Sequence, residues 1–387
     1  MRRNNLISTV LINPLQRIVG DSRSVGIILF ACSIVSIMLA NTSFGEQYID
    51  SWSFSFHFPG SIHLPHSLLH WINDGAMAVF FFLVGMEIKR ELLEGELSSV
   101  QQSLLPVFAA IGGMVVPAIL YTLFNKETVY QHGWGIPIAT DIAFSLGVAS
   151  MLGKRVPGSL KVFLTALAII DDLGAILVIA LFYGAAVNWL YLLAGGIAFT
   201  VLLLLPRLKI RFGWWNYLLG ILLWYCIYNS GIHATIAGVL FAFTIPVSQL
   251  SKQEHRLHVP VNFIILPVFA LANTAIAIPS DFAVAFGSSL SYGIIAGLFL
   301  GKPLGILLAC WCITRLKWGR LPEGVSWMQM AGIGILAGIG FTMSIFISML
   351  AFTDQSMQDM AKVGVLLASL LAIVTGYLWL MVYKGKE

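Results

Sequence analysis

About twelve apolar runs, most of them long enough to cross a bilayer, divide this chain of 387 residues. A spanning helix needs about 20 mostly apolar residues, and inside the hydrocarbon only helices and closed barrels satisfy their own backbone hydrogen bonds. Only 10% of the residues are charged, against about 25% in a soluble domain. The pattern predicts an all-α polytopic membrane protein, with residues 1–387 forming one transmembrane domain. The candidate spans are 25–41, 68–88, 104–124, 134–153, 158–183, 187–206, 213–228, 231–248, 259–279, 290–314, 327–352 and 362–383.

The loop charges support this count of spans. With twelve spans and both termini in the cytoplasm, 19 of the 22 lysines and arginines lie on the cytoplasmic side and two on the outer side. Cytoplasmic loops carry such an excess of basic residues. Because these residues are scattered among short loops, the net charge of +4 does not indicate nucleic-acid binding. The runs 213–228 and 231–248 are short and are joined only by Asn229-Ser230.

Two segments outside the spans have patterns of their own. Residues 1–24 mix apolar and polar positions and predict an amphipathic helix at the membrane interface rather than a cleaved signal. The predicted outer loop, 42–67, contains alternating apolar residues over 52–64, with Pro59-Gly60 as a turn signal. This alternation predicts an outer β-hairpin, although a loop with chance alternation remains an alternative.

Once the residues at the rims of the spans are set aside, five charged residues remain inside them, and four of the five are acidic: Asp74, Asp141, Asp171, Asp172 and Lys302. Each ionised Asp near the bilayer centre costs on the order of 2.5–3.5 kcal/mol. The adjacent Asp171-Asp172 pair at mid-span therefore implies a cation, a proton or a water-filled cavity. Adjacent helical residues point about 100° apart, so one aspartate can pair with Lys302 while the other faces Asp141. Asp74 lies nearer the outer end of its span and is expected in an outer vestibule.

Two spans carry signals of interruption. In the fourth, Pro137 removes a backbone donor and Thr140 offers a hydroxyl beside Asp141. In the eleventh, glycines cluster in AGIGILAGIGF, including Gly338 and Gly340. An ordinary proline kink and a close-packing glycine face are the alternatives. Each of these spans is the middle member of a three-segment group, 3–5 or 10–12, and the two groups run in opposite directions, as in transporters with inverted repeats.

These features together resemble the NhaA-type sodium/proton antiporters. The matching stretches are WINDGAMAVFFFLVGMEIKREL, PIATDIAFSLGV, FLTALAIIDDLGAI, SGIHATIAGV, GKPLGI and GIGFTMSIF, and they are distributed over nearly the whole chain. The resemblance implies that Asp141 and Asp172 bind Na⁺ or Li⁺ and protons, that Thr140 assists, and that Asp171 pairs with Lys302. It also implies a twelve-helix fold in which the fourth and eleventh helices unwind where they cross.

The resemblance implies further properties of the chain. It implies a bacterial inner-membrane protein, a homodimer formed through the outer hairpin, transported ions but no cofactor, and a cytoplasmic pH sensor. The residues that match the sensor are Glu87, Arg90, Glu91, Lys252, Glu254, His255 and His258. Without the resemblance, these residues would be interpreted as solvated helix ends. Histidine titrates in the physiological range, which suits a sensing role.

The charges also predict how exchange responds to voltage. If Asp171 is paired with Lys302, the empty site carries two negative charges, on Asp141 and Asp172. One Na⁺ neutralises one of them, whereas two protons neutralise both, so the loaded states differ by one charge. Two alternative functions are an intramembrane aspartyl protease, although no GxGD motif surrounds Asp172, and a sodium-coupled solute symporter, although no arginine lies inside a span.

Overall fold

Helices make up most of the protein in the computed structural model, which describes residues 22–57, 63–277 and 287–383. Within these residues, nine helices are long and apolar enough to cross a membrane, or ten if one bent pair forms a single span. The predicted all-α polytopic architecture is confirmed. The amphipathic segment predicted for residues 1–24 lies almost entirely outside the described residues.

The helices are numbered here in chain order, and a continuous helix keeps one number even where its geometry changes. They are α1 (Ser22–Ala40), α2 (Gly45–Trp52), α3 (Leu68–Leu93), α4 (Val100–Asn125), α5 (Ile142–Met151), α6 (Gly158–Phe182), α7 (Trp189–Arg207), α8 (Trp214–Tyr228), α9 (Ile236–Thr244), α10 (Val247–Asn273), α11 (Ser289–Arg315), α12 (Trp327–Ala337), α13 (Phe341–Ala351) and α14 (Gln355–Val382).

Two of the twelve predicted spans are short helices in the structure. Helix α8 has 15 residues and α9 has nine, which correspond to about 22 Å and about 14 Å of helix. The hydrocarbon core is about 30 Å thick. Helix α9 packs along α3, and α8 packs along α7. Helix length alone therefore does not give the predicted count of twelve.

The predicted outer hairpin has a different form in the described residues. Helix α2 occupies the start of the loop and ends at Trp52. Beyond it, a single antiparallel bridge joins Ser55 to Ser67, and the amide of Phe56 donates to the His66 carbonyl at 2.7 Å. Residues 58–62, which include the predicted turn, lie outside the described residues. A two-stranded hairpin is not confirmed, because the observed pairing is one bridge.

Three of the long helices contain a turn with π geometry: Trp71–Ala76 in α3, Val261–Ile265 in α10 and Ala296–Gly301 in α11. A π turn accommodates an extra residue, and such turns are frequent at functional sites. One of them contains Asp74, and another ends directly before Lys302. The apolar pattern of the sequence did not predict these turns.

Close glycine packing joins α4 to α11, which make the most extensive helix pairing in the fold. A Cβ on Gly305 would lie 2.1 Å from the Gly112 carbonyl oxygen, and a Cβ on Gly112 would lie 2.3 Å from the Gly305 carbonyl oxygen. Only glycine permits backbones to approach this closely. Since Gly305 is three residues after Lys302, the contact fixes the part of α11 that carries the buried cation.

Substitution Gly305→Ala is expected to separate α4 from α11. The new methyl group would meet backbone atoms, which cannot move aside as a flexible side chain can, and such overpacking costs about 1–3 kcal/mol. Thermal unfolding in detergent should show a lower melting temperature. Gly196→Ala on α7 is the matched control, because a Cβ there meets nothing within 4 Å. Equal melting temperatures for the two variants would contradict the packing argument.

Candidate functional site

The two interrupted segments contact each other directly. The first is a 3₁₀ helix, Gln131–Ile138, followed by three non-helical residues before α5 begins. The second is the 45° break between α12 and α13. The amide of Asp141 donates to the Ile339 carbonyl at 2.6 Å, and the Ser344 hydroxyl donates to the Ile136 carbonyl at 2.7 Å. Protein therefore shields the irregular backbone, as is required at membrane depth.

Lys302 is completely buried and lies between a carboxylate and a helix end. Its Nζ is 2.7 Å from Asp171 Oδ2, and it also donates to the Ile138 carbonyl at the end of the 3₁₀ helix. The Thr140 hydroxyl lies 2.7 Å from the same Asp171 oxygen and 2.8 Å from the Ala337 carbonyl, which ends α12. The cation thus neutralises Asp171 and also satisfies a carbonyl that the interruption leaves free.

Asp141 lies where α5 and α13 both begin. Its Oδ1 accepts from the Phe144 amide at 3.1 Å, as an N-cap. Its Oδ2 accepts from the Thr342 amide at 3.0 Å and from the Thr342 hydroxyl. The first turns of two helices therefore donate to one carboxylate, and the partial positive charge at helix N-termini favours its ionised form.

Asp172 has none of these partners. Its side chain is 2% exposed, and Oδ1 is buried without a hydrogen-bond partner among the described residues. Asp171 Oδ1 is also unpartnered, but that carboxylate already contacts Lys302 and Thr140 through its other oxygen. A buried carboxylate without a partner must be neutralised by a proton or by a cation. Asp172 is therefore the member of the adjacent pair that is available to a ligand.

A cavity of about 200 Å³ is lined both by the carboxylates and by polar residues that are half-buried or exposed. Asp141, Asp172, Thr140 and Thr342 form part of its lining. The other polar residues that line it are Glu87, Arg90, Thr165, His258 and Asn262. Glu87 and Arg90 come from the last turns of α3, and His258 comes from α10, on the side of the protein that the loop charges predict to be cytoplasmic.

The predicted pH-sensing residues divide into three groups. Glu87, Arg90 and His258 line the cavity. Glu91 and Glu254 do not line it, but both bond to Arg90, at 3.2 Å and 2.9 Å. The remaining two, Lys252 and His255, are exposed and lie outside the lining of the cavity.

Asp74 lies apart from this site. It is part of the first π turn in α3, and its carbonyl accepts a hydrogen bond from Trp224 Nε1 at 2.9 Å. It does not line the cavity that contains Asp172. A place in an outer vestibule remains a prediction.

The glycines of the second interruption both break the helix and permit close packing, which are the two roles considered from sequence. The helix breaks at Gly338–Gly340. A Cβ on Gly338 would lie 2.4 Å from the Leu298 carbonyl oxygen, so the same residue also permits close packing. In the first interruption, Pro137 lies in the last turn of its 3₁₀ helix and packs against Gly297, where an added Cβ would lie 2.6 Å from the proline ring.

Sequence reasoning did not select three polar residues of this site. Thr342 supplies two donors to Asp141, and its position two residues after Gly340 was the available signal, since the first interruption also places a threonine beside the break. Thr165 precedes Asp172 by seven residues, or about two helical turns, and therefore shares its face. Asn262 carried no signal beyond being polar within an apolar run.

The arrangement of interrupted helices and buried charges defines a class of protein. Helical membrane proteins in which two interrupted segments meet beside buried charged groups are secondary transporters of small ions or solutes. Among the described residues, no group of three His, Cys, Asp or Glu side chains converges in a way that could hold a resident metal ion.

Comparison with known proteins identifies the family. A family model described as Na⁺/H⁺ antiporter 1 matches residues 16–380. The chain belongs to this family of sodium/proton antiporters.

Individual members of the family are similar to this chain over nearly its whole length. It is 50% identical over 377 residues to Na⁺/H⁺ antiporter NhaA 2 of Flavobacterium johnsoniae, covering 95% of this chain and 92% of that protein. It is 47% identical over 366 residues to the NhaA antiporter of Cytophaga hutchinsonii, covering 93% of each, and 46% identical over 381 residues to that of Citrobacter koseri, covering 95% and 97%. These relatives are antiporters, which agrees with a transporter rather than the intramembrane protease considered from sequence.

Proposed function

We propose that this protein exports Na⁺ or Li⁺ in exchange for protons, and that both cargoes bind at Asp141 and Asp172. The observation that carries the proposal is the buried carboxylate of Asp172, which lines a cavity together with Asp141 and has one oxygen without a hydrogen-bond partner among the described residues. Asp171 has its own cation in Lys302, so it is not available to a second one. The cargo site therefore has two carboxylates.

Competition between the cargoes follows from this site. A proton and Na⁺ cannot occupy the same carboxylate oxygen, so binding one cargo expels the other. Oxygen ligands suit hard cations such as Na⁺ and Li⁺. Thr140 and Thr342 line the cavity beside the carboxylates and add hydroxyl oxygens to the surroundings of the ion.

The proposal includes the membrane topology. Twelve segments cross the bacterial inner membrane with both termini in the cytoplasm, and segments 3–5 and 10–12 form inverted repeats. The support is the charge asymmetry of the loops and the contact between the two interrupted segments, each the middle member of its group. The short helices α8 and α9 then form two spans together with the turn between them.

Regulation by cytoplasmic pH is also part of the proposal. The sensor comprises the seven residues named above on α3 and α10, of which Glu87, Arg90 and His258 line the cavity that leads to Asp172. A change of protonation there alters the field at the entrance of the cavity, because charges in a cleft with low-dielectric walls act over a long range. The protein forms a homodimer through the outer segment 52–64, and it needs no cofactor.

Purified protein in liposomes tests the exchange itself. A Na⁺ gradient should drive proton movement in the opposite direction without any organic solute, and Li⁺ should substitute for Na⁺. A requirement for a solute would instead indicate the symporter considered from sequence. Absence of Na⁺-dependent proton movement in folded protein would refute the proposal.

Exchange is expected to move net charge across the membrane. One Na⁺ leaves one negative charge in the site, whereas two protons leave none, so each cycle moves one charge, worth about 2.3 kcal/mol per 100 mV. In liposomes that are held at zero pH difference, a potassium diffusion potential should drive Na⁺ uptake in the direction that its sign predicts. Rates that do not respond to the imposed potential would show one-for-one exchange.

A further inference from the structure

Asn262 is a polar residue inside a span that the proposed exchange does not use. It lies in the π turn Val261–Ile265 of α10, and its side chain lines the same cavity as Asp172. His258, Asn262 and Leu266 all line this cavity at intervals of four residues along α10. Each interval advances about 6 Å along a helix. Asn262 is therefore about one turn deeper than the end of the cavity that is lined by the exposed His258 and the half-buried Arg90.

The amide of Asn262, a partly exposed residue, differs from the amides of four other asparagines in the helices. Asn73 and Asn273 bond to each other, with Asn273 Nδ2 donating to Asn73 Oδ1 at 2.9 Å. Asn125 donates to the Tyr121 carbonyl, and the Asn216 oxygen accepts from the Gly213 amide. The Asn262 side chain has no hydrogen-bond partner among the residues that the structure describes, so its amide is free to contact the water or the ion that occupies the cavity.

The chemistry of an amide suits a cation that is losing its water shell. The amide oxygen carries a partial negative charge and no proton, so it can replace one water oxygen around Na⁺ without binding a proton in competition. A second carboxylate at this position would bind both cargoes. A neutral oxygen binds only the cation, and therefore favours Na⁺ over H⁺ on the way to Asp172.

We infer that Asn262 is a cation-binding residue of the passage to Asp172, where its amide oxygen contacts Na⁺ or Li⁺ but takes no part in proton binding. This inference rests on the proposed function of the same cavity. Asn262 therefore changes the affinity for the cation, whereas the carboxylates bind both the cation and the protons.

The test measures apparent KM for Na⁺ and the maximal rate in membrane vesicles. Asn262→Leu keeps the branched shape and the number of heavy atoms of the side chain but removes the oxygen, and should raise KM for Na⁺ about tenfold, since a dipole–ion contact of about 1.4 kcal/mol corresponds to that factor. The maximal rate should change by less than about twofold, because an interaction with the cation alone is lost. Asn262→Ser keeps an oxygen and should show an intermediate KM.

The matched control is Ile264→Ala, which alters the same π turn at a side chain that is 61% exposed and does not line the cavity. It should leave KM for Na⁺ unchanged. An unchanged KM in both Asn262 variants, with exchange intact in the unaltered protein, would overturn this inference alone. An equal rise of KM in the control would overturn it as well, because disturbance of the turn would then explain the effect. If Asn262→Leu does not fold, the KM of Asn262→Ser for Na⁺ tests the inference in its place. Absence of exchange in the unaltered protein would refute the proposed function instead.

Discussion

Asp172→Asn is expected to abolish sodium/proton exchange while leaving the protein folded in the membrane. The amide has nearly the volume of the carboxyl group, but it neither carries a negative charge nor binds a proton at neutral pH. Because Asp172 Oδ1 has no partner among the described residues, the substitution removes no observed hydrogen bond from that oxygen. Melting temperature should therefore stay the same or rise, since an unpaired buried charge is costly.

Transport by this variant is measured in liposomes with a pH-sensitive dye and with ²²Na⁺ uptake. Asp50→Asn provides the control, because Asp50 is an exposed carboxylate on α2, outside the cavity. It should retain the full rate. Asp172→Asn with Na⁺-driven proton movement above background would remove Asp172 from the cargo site, and the charge argument for electrogenic exchange would fail with it.

Lys302→Ala is expected to cause a large loss of stability as well as of transport. Both Lys302 and Asp171 have no side-chain exposure, and they are 2.7 Å apart. Removing one partner of a buried pair leaves an uncompensated charge and costs about 3–5 kcal/mol. The Ile138 carbonyl also loses its donor, so the end of the first interrupted segment becomes unsatisfied. Thermal unfolding in detergent should show a lower melting temperature than that of the unaltered protein.

A second variant separates the charge from the packing. Lys302→Met combined with Asp171→Asn removes both charges and keeps most of the volume, and it should recover most of the lost stability. If the double variant is as unstable as Lys302→Ala, the ion pair is not the cause of the loss. Transport need not recover in the double variant, because the field around Asp172 also changes when Lys302 is removed.

The membrane architecture could be predicted from sequence because it depends on one-dimensional properties. The length of apolar runs and the placement of lysine and arginine do not require knowledge of contacts. The two interruptions could also be anticipated, since proline and clustered glycines act on the backbone locally. Helices α8 and α9 were predicted less well. Their apolar runs predicted two spans, but an apolar run does not show how many of its residues are helical.

The details of the site depend on rotations and contacts that a single sequence does not specify. Sequence geometry required Asp171 and Asp172 to face different ways, but only the family resemblance suggested which one pairs with Lys302. The Thr342 donors to Asp141 come from 201 residues away along the chain. The outer hairpin was expected from alternation alone, and it is not confirmed, because the described residues of this segment contain a single bridge between Ser55 and Ser67.

The wide turn at Ala296–Gly301 determines which way Lys302 points. It ends at the residue directly before the lysine. A turn of this kind holds about one residue more than an ordinary turn, and each residue of an ordinary α-helix adds about 100° of rotation. Shortening the turn by one residue would swing the ammonium group to another side of the helix. The buried charge balance of the protein therefore depends on six apolar residues that carry no charge themselves.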